Sequence, residues 1–314
     1  MKINLIAFTI ILSFTFLEAQ ESVEMAKDNK LVEVYNKAVK YFLEENIPKA
    51  EENFLITIKL KPDDISTLKY LAEISIAKQD IAMIKYYYEK VLSLKPDDED
   101  ALISLGVIHL QYGNVKIAEE FLIKVINHQP ANELALFNLA VLYGTTDEFL
   151  SSVKILEKLI SINPTSGKYY QTLGIYYLSQ NFFLDAEDNF LQALTYENDL
   201  TEARKGLVII YQNKKELNES LKYITELETM TPDLQDLNIL KAYQQYLYGA
   251  VETAIKYALR ENEKYPEEPD AYFLLSDLYK INGDEINSRY FLERAEKLIK
   301  NSAVKTVYSF FNIK

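Results

Sequence analysis

Six of the eight prolines stand at a fixed step. Pro62, Pro96, Pro130, Pro164, Pro232 and Pro266 are separated by 34, 34, 34, 68 and 34 residues. The skipped point is Asn198, within a Glu-Asn-Asp sequence that supplies a turn of its own. A period of this length marks a chain made of stacked copies of one supersecondary unit. Eight such units fit between residues 31 and 302: 31–64, 65–98, 99–132, 133–166, 167–200, 201–234, 235–268 and 269–302. With each unit numbered 1 to 34, the lattice proline is position 32.

Other columns fall on the same ruler. Position 8 reads Ala38, Ala72, Gly106, Ala140, Gly174, Val208, Ala242 and Ser276, and position 20 reads Ala50, Ile84, Ala118, Ser152, Ala186, Ser220, Ala254 and Ser288. Position 7 is Leu in six units, with Lys37 and Lys241 as exceptions, and position 24 is mostly large, from Phe54 to Leu292. Positions 4, 7, 8 and 11 share one face of a first helix, and 20, 24, 27 and 28 one face of a second. Small residues at 8 and 20 let the two helices approach closely, while large ones fill the flanks. Position 15 carries Gly113, Gly249, Gly283 and Asn181, residues that tolerate the left-handed turn between helices. Proline at 32 ends the second helix, and Asp63, Asp97 and Asp233 behind it are candidate N-caps for the next one. The seventh unit is the poorest, with Lys241, Gln245, Ala258 and Glu261 at core columns, which means either unusual local packing or contact with a partner.

The unit from Leu102 through Leu105-Gly106, Ala118 and Leu122 to Pro130 resembles a tetratricopeptide repeat (TPR), as does that from Tyr170 through Leu173-Gly174, Tyr177, Ala186 and Phe190 to Ala193. The family's Trp is missing throughout, since position 4 reads Val34, Leu68, Leu102, Leu136, Tyr170, Arg204, Asn238 and Tyr272. The resemblance implies an all-α fold, a right-handed superhelical solenoid of about eight TPR helix pairs whose first helices line a concave groove. It places Tyr35, Val39, Phe42, Ile103, Val107, Phe137, Val141, Gln171, Ile175, Ile209, Tyr243, Tyr246 and Phe273 on that groove as candidate protein-binding residues. This wall is apolar along the third to fifth units, with aromatics toward both ends. Two readings stay open: a docking groove for an extended or helical apolar segment, or tight winding that buries these side chains between neighbouring first helices. Some family members grip a partner's terminal carboxylate with Lys at position 5 and Asn at position 9. Here Lys69 is paired with Glu73 and Lys205 with Ile209, so no unit carries that clamp.

The ends read differently. Residues 1–19 hold one Lys and an apolar run of 15 residues, Ile3 to Leu17. A helical run of that length spans about 22 Å, short of the ~30 Å hydrocarbon core, and fits a signal peptide cleaved after Ala19. An uncleaved anchor is the alternative. No Cys exists anywhere in the chain, so a lipoprotein is excluded. Residues 20–30 read as a flexible lead, and 303–314 as a segment capping the eighth unit through Val304, Val307, Tyr308 and Phe311, or else docking on another protein.

Chemistry is sparse. With 34 basic and 47 acidic residues the net charge is -13, which disfavours nucleic acid. Cys is absent, only His109 and His128 are present, and no phosphate loop, nucleophile elbow or metalloprotease motif occurs. His109 fits a packing column and His128 a helix end. The Asp63-Asp64 and Asp97–Asp100 clusters fit solvated capping turns rather than calcium loops, and Asn218-Glu219-Ser220 is a bare sequon. No catalytic residue, cofactor or metal is expected. The expected function is an exported, non-catalytic scaffold, periplasmic or secreted, that binds protein through its groove as an accessory of an envelope assembly, secretion or motility complex. The alternative is a surface glycan- or nutrient-binding accessory using Tyr-rich walls. Homo-oligomerisation through the C-terminal end is a further possibility.

Overall fold

The computed structural model describes residues 28–146, 148–299, 307–311 and 313. The apolar run 1–19 with its expected cleavage point, most of the lead and Val304 lie outside them. Sixteen α-helices and one short 3-10 helix make up the described chain, with no strand among the described residues. They are α1 (28–43), α2 (Ile47–Leu60), α3 (Ile65–Ala77), α4 (Ile81–Leu94), α5 (Glu99–Gln111), α6 (Val115–His128), α7 (Glu133–Thr145) and α8 (Phe149–Ile162). Then come α9 (Gly167–Ser179), α10 (Phe183–Tyr196), α11 (Thr201–Lys214), α12 (Leu217–Met230), α13 (Leu237–Leu247), α14 (Val251–Lys264), α15 (Pro269–Ile281), α16 (Glu285–Ile299) and the 3-10 turn η1 (Val307–Phe310). The even-numbered helices start at Ile47, Ile81, Val115, Phe149, Phe183, Leu217, Val251 and Glu285, each 34 residues after the last. Residues 28–30, assigned to the lead by sequence, already belong to α1.

The described residues fall into two compact units, divided between Leu142 and Tyr143 inside α7. In the first, Ala38, Ala50, Phe54, Leu68, Leu71, Ala72 and Leu105 form one core, and Leu102, Ile103, Val125 and Ala135 a second cluster. In the second, Phe190, Leu207, Ile210, Leu227 and Leu240 centre one core, and Ala242, Ala254, Leu274, Leu275 and Ala295 another. The small columns do what their size allows. A Cβ on Gly106 would come within 3.2 Å of Leu122, and Ser276 touches Ser288 at 3.4 Å across the last hairpin.

Hairpin corners follow one rule. Position 15 is left-handed at Gly113, Gly249, Gly283 and Asn181, and also at Glu45, Gln79 and Lys215, with φ between 57° and 81°. The seven residues adopt the same backbone whatever their side chain, so the corner geometry is imposed by the packing of the two helices it joins. Helix starts require a correction. Asp64 and Asp98, not Asp63 and Asp97, are the N-caps: Thr67 N–H donates to Asp64 at 2.9 Å and Ala101 N–H to Asp98 at 3.3 Å. The proline and the following residue are both spent on the turn, so the extended backbone that a cap needs comes one residue later, at Asp64 (φ −75°, ψ 98°). Asp233 does not cap either; it accepts from Lys264 Nζ at 2.6 Å.

The poorest repeat is explained by local packing. Helix α13 begins two residues later in its repeat than its counterparts, after Asp236 in a left-handed conformation. The buried Glu261 reaches from α14 to fill the gap, accepting from Asp236 N–H at 2.6 Å and Asn238 Nδ2 at 3.0 Å. Lys241 pairs with Glu228 at 2.6 Å and lies over the Tyr257 ring. Leu292, a core column by sequence, is 40% exposed, and Phe291 is buried instead, stacked on Tyr279 at 5.5 Å. Among the described residues no further hairpin follows α16 to cover Leu292.

Candidate functional site: the first-helix wall

In the first unit, α3, α5 and α7, with the start of α4, line an apolar cleft of about 550 Å³. Its floor is Ile84, Ile103, Val107 and Ile108, its edges are Ile76, Ile81 and Leu134, and Gln79, Gln111, Asn138 and Ser104 supply polar atoms. Ile76 and Leu134 are 48% and 57% exposed, although both are large and apolar. Register explains the cleft. Ile76 is position 12 of one repeat, Ile103 and Val107 are positions 5 and 9 of the next, and Leu134 is position 2 of the one after, so consecutive first helices turn one stripe to the same side. Of the predicted wall residues, the cleft unites Ile103 and Val107; Ile103 is its buried base and Val107 is half-buried. Phe137 and Val141, also half-buried, continue the stripe along α7.

Other predicted positions serve packing. Tyr35 and Phe42 surround Phe54 and Tyr70 in an aromatic cluster, Phe42 edge-on to Tyr70 at 5.1 Å and Phe54 stacked on it at 4.7 Å, with Val39 against the same core. In the second unit, Gln171 accepts from Ala203 N–H at 3.2 Å, serving the open start of α11. Ile175 is 37% exposed, whereas Ile209 is 3% exposed and belongs to the core. Tyr243 is 2% exposed: Tyr246 stacks beside it at 5.8 Å, and Phe311 lies on it at 4.1 Å with the rings 15° apart. Phe273 packs against the last core. Within 303–314, the described residues 307–310 form a 3-10 turn that contacts α15 of the eighth repeat, and Phe310 and Phe311 also pack against the core around α11 and α13. No residue pattern in the sequence signals that placement.

Electrostatics confirm that the wall's two lysines are engaged. Lys69 bridges Asp98 at 3.3 Å and Asp100, and Lys205 bridges Asp236 at 2.9 Å and Glu202 at 3.4 Å. Burial lowers the Lys205 ammonium, but Asp236 and Glu202 outweigh it and hold the group above its ordinary value. Burial likewise raises the Asp98 carboxyl, and the Ala101 N–H with Lys69 and Lys95 reverses that, leaving it below the usual range. His109 packs 5.8 Å from the Phe121 ring, and burial, helped by Lys85, lowers its imidazole, so it is neutral near pH 7. Among the described residues no group of three or more His, Asp and Glu is placed to hold a metal. No described helix is long and apolar enough to cross a membrane.

Residues 134–166 match the tetratricopeptide repeat family. No curated protein matches the chain. Among solved structures, PilW, a type IV pilus biogenesis factor, is similar at 14% identity over 67% of this chain and 97% of that one, TM-score 0.59. PilF of Pseudomonas aeruginosa is similar at 11% identity over 69% and 99%, TM-score 0.58. A tetratricopeptide repeat protein from Parabacteroides merdae is similar at 17% identity over 90% and 97%, TM-score 0.56. At these identities the likeness concerns the fold.

Proposed function

We propose that this tetratricopeptide-repeat protein is an exported, non-catalytic scaffold that binds an apolar segment of another protein on its first-helix wall. The cleft on α3, α5 and α7 carries the reading. It leaves Ile76 and Leu134 largely in water above an Ile and Val floor, a surface of the kind that marks interaction sites. Gln79 and Gln111 at its rim suit the backbone of an extended chain, while the floor suits apolar side chains. The glycan reading fares worse here: no residue lining this cleft is aromatic, and sugar rings are held by stacking on aromatic faces. Export rests on the run 1–19, and a role in an envelope assembly on that run together with a fold like that of the pilus biogenesis factor PilW.

The experiment is a display of short apolar peptides against the purified chain and two variants, Ile76→Glu and Leu134→Glu. Both side chains are exposed, so the fold tolerates the charges, and binding selected on the wild type falls at least tenfold in each. Binders that ignore both changes would remove the cleft from the function. N-terminal sequencing of the exported protein tests cleavage after Ala19.

A further inference from the structure

The wall of the second unit is not open in the same way. Tyr243 occupies position 9 of its repeat, equivalent to Val107 of the cleft, yet it is 2% exposed. What covers it is the chain's own end. Phe311 lies face to face on Tyr243 at 4.1 Å, Phe310 and Phe311 pack on the core around α11 and α13, and Phe311 and Ile313 on that around α15. This segment is not an integral layer of the fold. Among its described residues the regular element is four residues long, and Phe310, Phe311 and Ile313 are only half-buried themselves. A few side chains seated on a preformed face make the contact that a bound peptide makes, and such a contact belongs to the least stable part of a fold.

We propose that the face of α11, α13 and α15 around Tyr243 is a second polypeptide-binding site, selective for a short segment with adjacent aromatic side chains, and that the Phe310-Phe311 segment fills it as an exchangeable internal ligand. The inference rests on the reading of first-helix walls as polypeptide-binding surfaces but concerns a different unit. An external segment of the same chemistry competes with the tethered one, which seven residues, 300–306, join to α16; a tether of that length sets an effective concentration on the order of 1 mM. The external segment gains access as its concentration approaches that value, or sooner if its own contacts exceed those of the tail.

The chain has no Trp, so Phe311→Trp gives the full-length protein a single indole reporter. Seated on Tyr243, it emits at short wavelength. A synthetic peptide of residues 307–314, titrated to a few times about 1 mM, shifts the emission to that of indole in water, and the same peptide with both Phe changed to Ala does not. A second measurement avoids the bulkier ring: a dye-labelled peptide of residues 307–314 binds the full chain carrying Phe310→Ala and Phe311→Ala at least tenfold more tightly than the wild type. An indole that is water-exposed from the start, or that stays shielded throughout the titration, combined with equal peptide binding to both chains, overturns the proposal. Ile76→Glu and Leu134→Glu in the first unit leave these readouts unchanged, so failure of the cleft reading and failure of this one are told apart.

Discussion

Phe190 is held between two glycines. A Cβ on Gly206 of α11 would lie 2.2 Å from Phe190 Cε2 and 2.4 Å from Cζ, and a Cβ on Gly174 of α9 would lie 2.7 Å from both Cδ1 and Cε1. The ring therefore cannot slide away from one glycine without meeting the other, and it is fully buried. Gly206→Ala gains about 1 kcal/mol of helix propensity. Against this stands overpacking at the upper end of its usual range of about 1–3 kcal/mol, because the nearest atoms belong to a wedged ring. The net expectation is a loss of about 1–2 kcal/mol. Phe190→Leu removes Cε2 and Cζ, the two atoms nearest Gly206. Leucine keeps Cδ2, which lies 2.8 Å from the added Cβ, but as the free end of a flexible side chain, so in that background Gly206→Ala loses most of its cost, a coupling of about 1–2 kcal/mol. Leucine keeps Cγ and Cδ1, the ring atoms nearest Gly174 along with Cε1, so the rescue of Gly174→Ala is smaller. Urea titrations followed by far-ultraviolet circular dichroism give all the values. A neutral Gly206→Ala, or one whose cost Phe190→Leu fails to relieve, refutes the wedge.

Asp98→Ala removes a helix cap and a Lys69 partner and costs about 1–2 kcal/mol near neutral pH. Because the native Asp98 carboxyl is held low, its contribution is present above the unfolded value of about 3.9 and fades as pH falls through the native one, so wild type and variant converge in acid. Burial raises the Glu261 carboxyl despite its two donors; the native state then keeps the proton longer, and the contribution is lost as pH rises from the unfolded value near about 4.3 through the native one. Glu261→Gln therefore gains on the wild type as pH rises above about 4.3, and a gap that is flat in pH contradicts this. Lys215→Gly, at a left-handed corner with φ 60°, raises the urea midpoint by the equivalent of about 0.5–1 kcal/mol, whereas Gly113→Ala lowers it by about 1 kcal/mol.

The repeat was legible because four columns share one period. Proline at position 32, small residues at 8 and 20 and turn formers at 15 place every even-numbered helix start on its 34-residue step. Legibility failed where a residue's role depends on what approaches it. Asp63 and Asp64 are chemically equal, and only the backbone of the turn selects the second as cap. Glu45, Gln79 and Lys215 carry no signal for a left-handed corner, since the helices on either side impose it. Of the residues that the resemblance puts on the wall, Ile103 and Val107 line one cleft, whereas Gln171 takes a capping task and Tyr243 is covered by Phe311. Phe311 shares a helical spacing with Val304, Val307 and Tyr308 that reads as a cap on the eighth unit, and nothing in that spacing points back to α13. The exposed edges Ile76 and Leu134 mark the wall better than its buried members do, because a large apolar side chain left in water stands out only once burial is known.

The late start of α13 bears on how such a chain can change length. Everywhere else on the ruler, adding a residue to a connector would rotate the next hairpin out of phase with its neighbours. Between Pro232 and Leu237 the path is set by the Glu261 carboxylate gripping two amides, a tether with slack that a rigid backbone turn does not have. One inserted residue there should loop outward and leave α13 and α14 in place, making this connector the natural site for splicing a foreign epitope into the array.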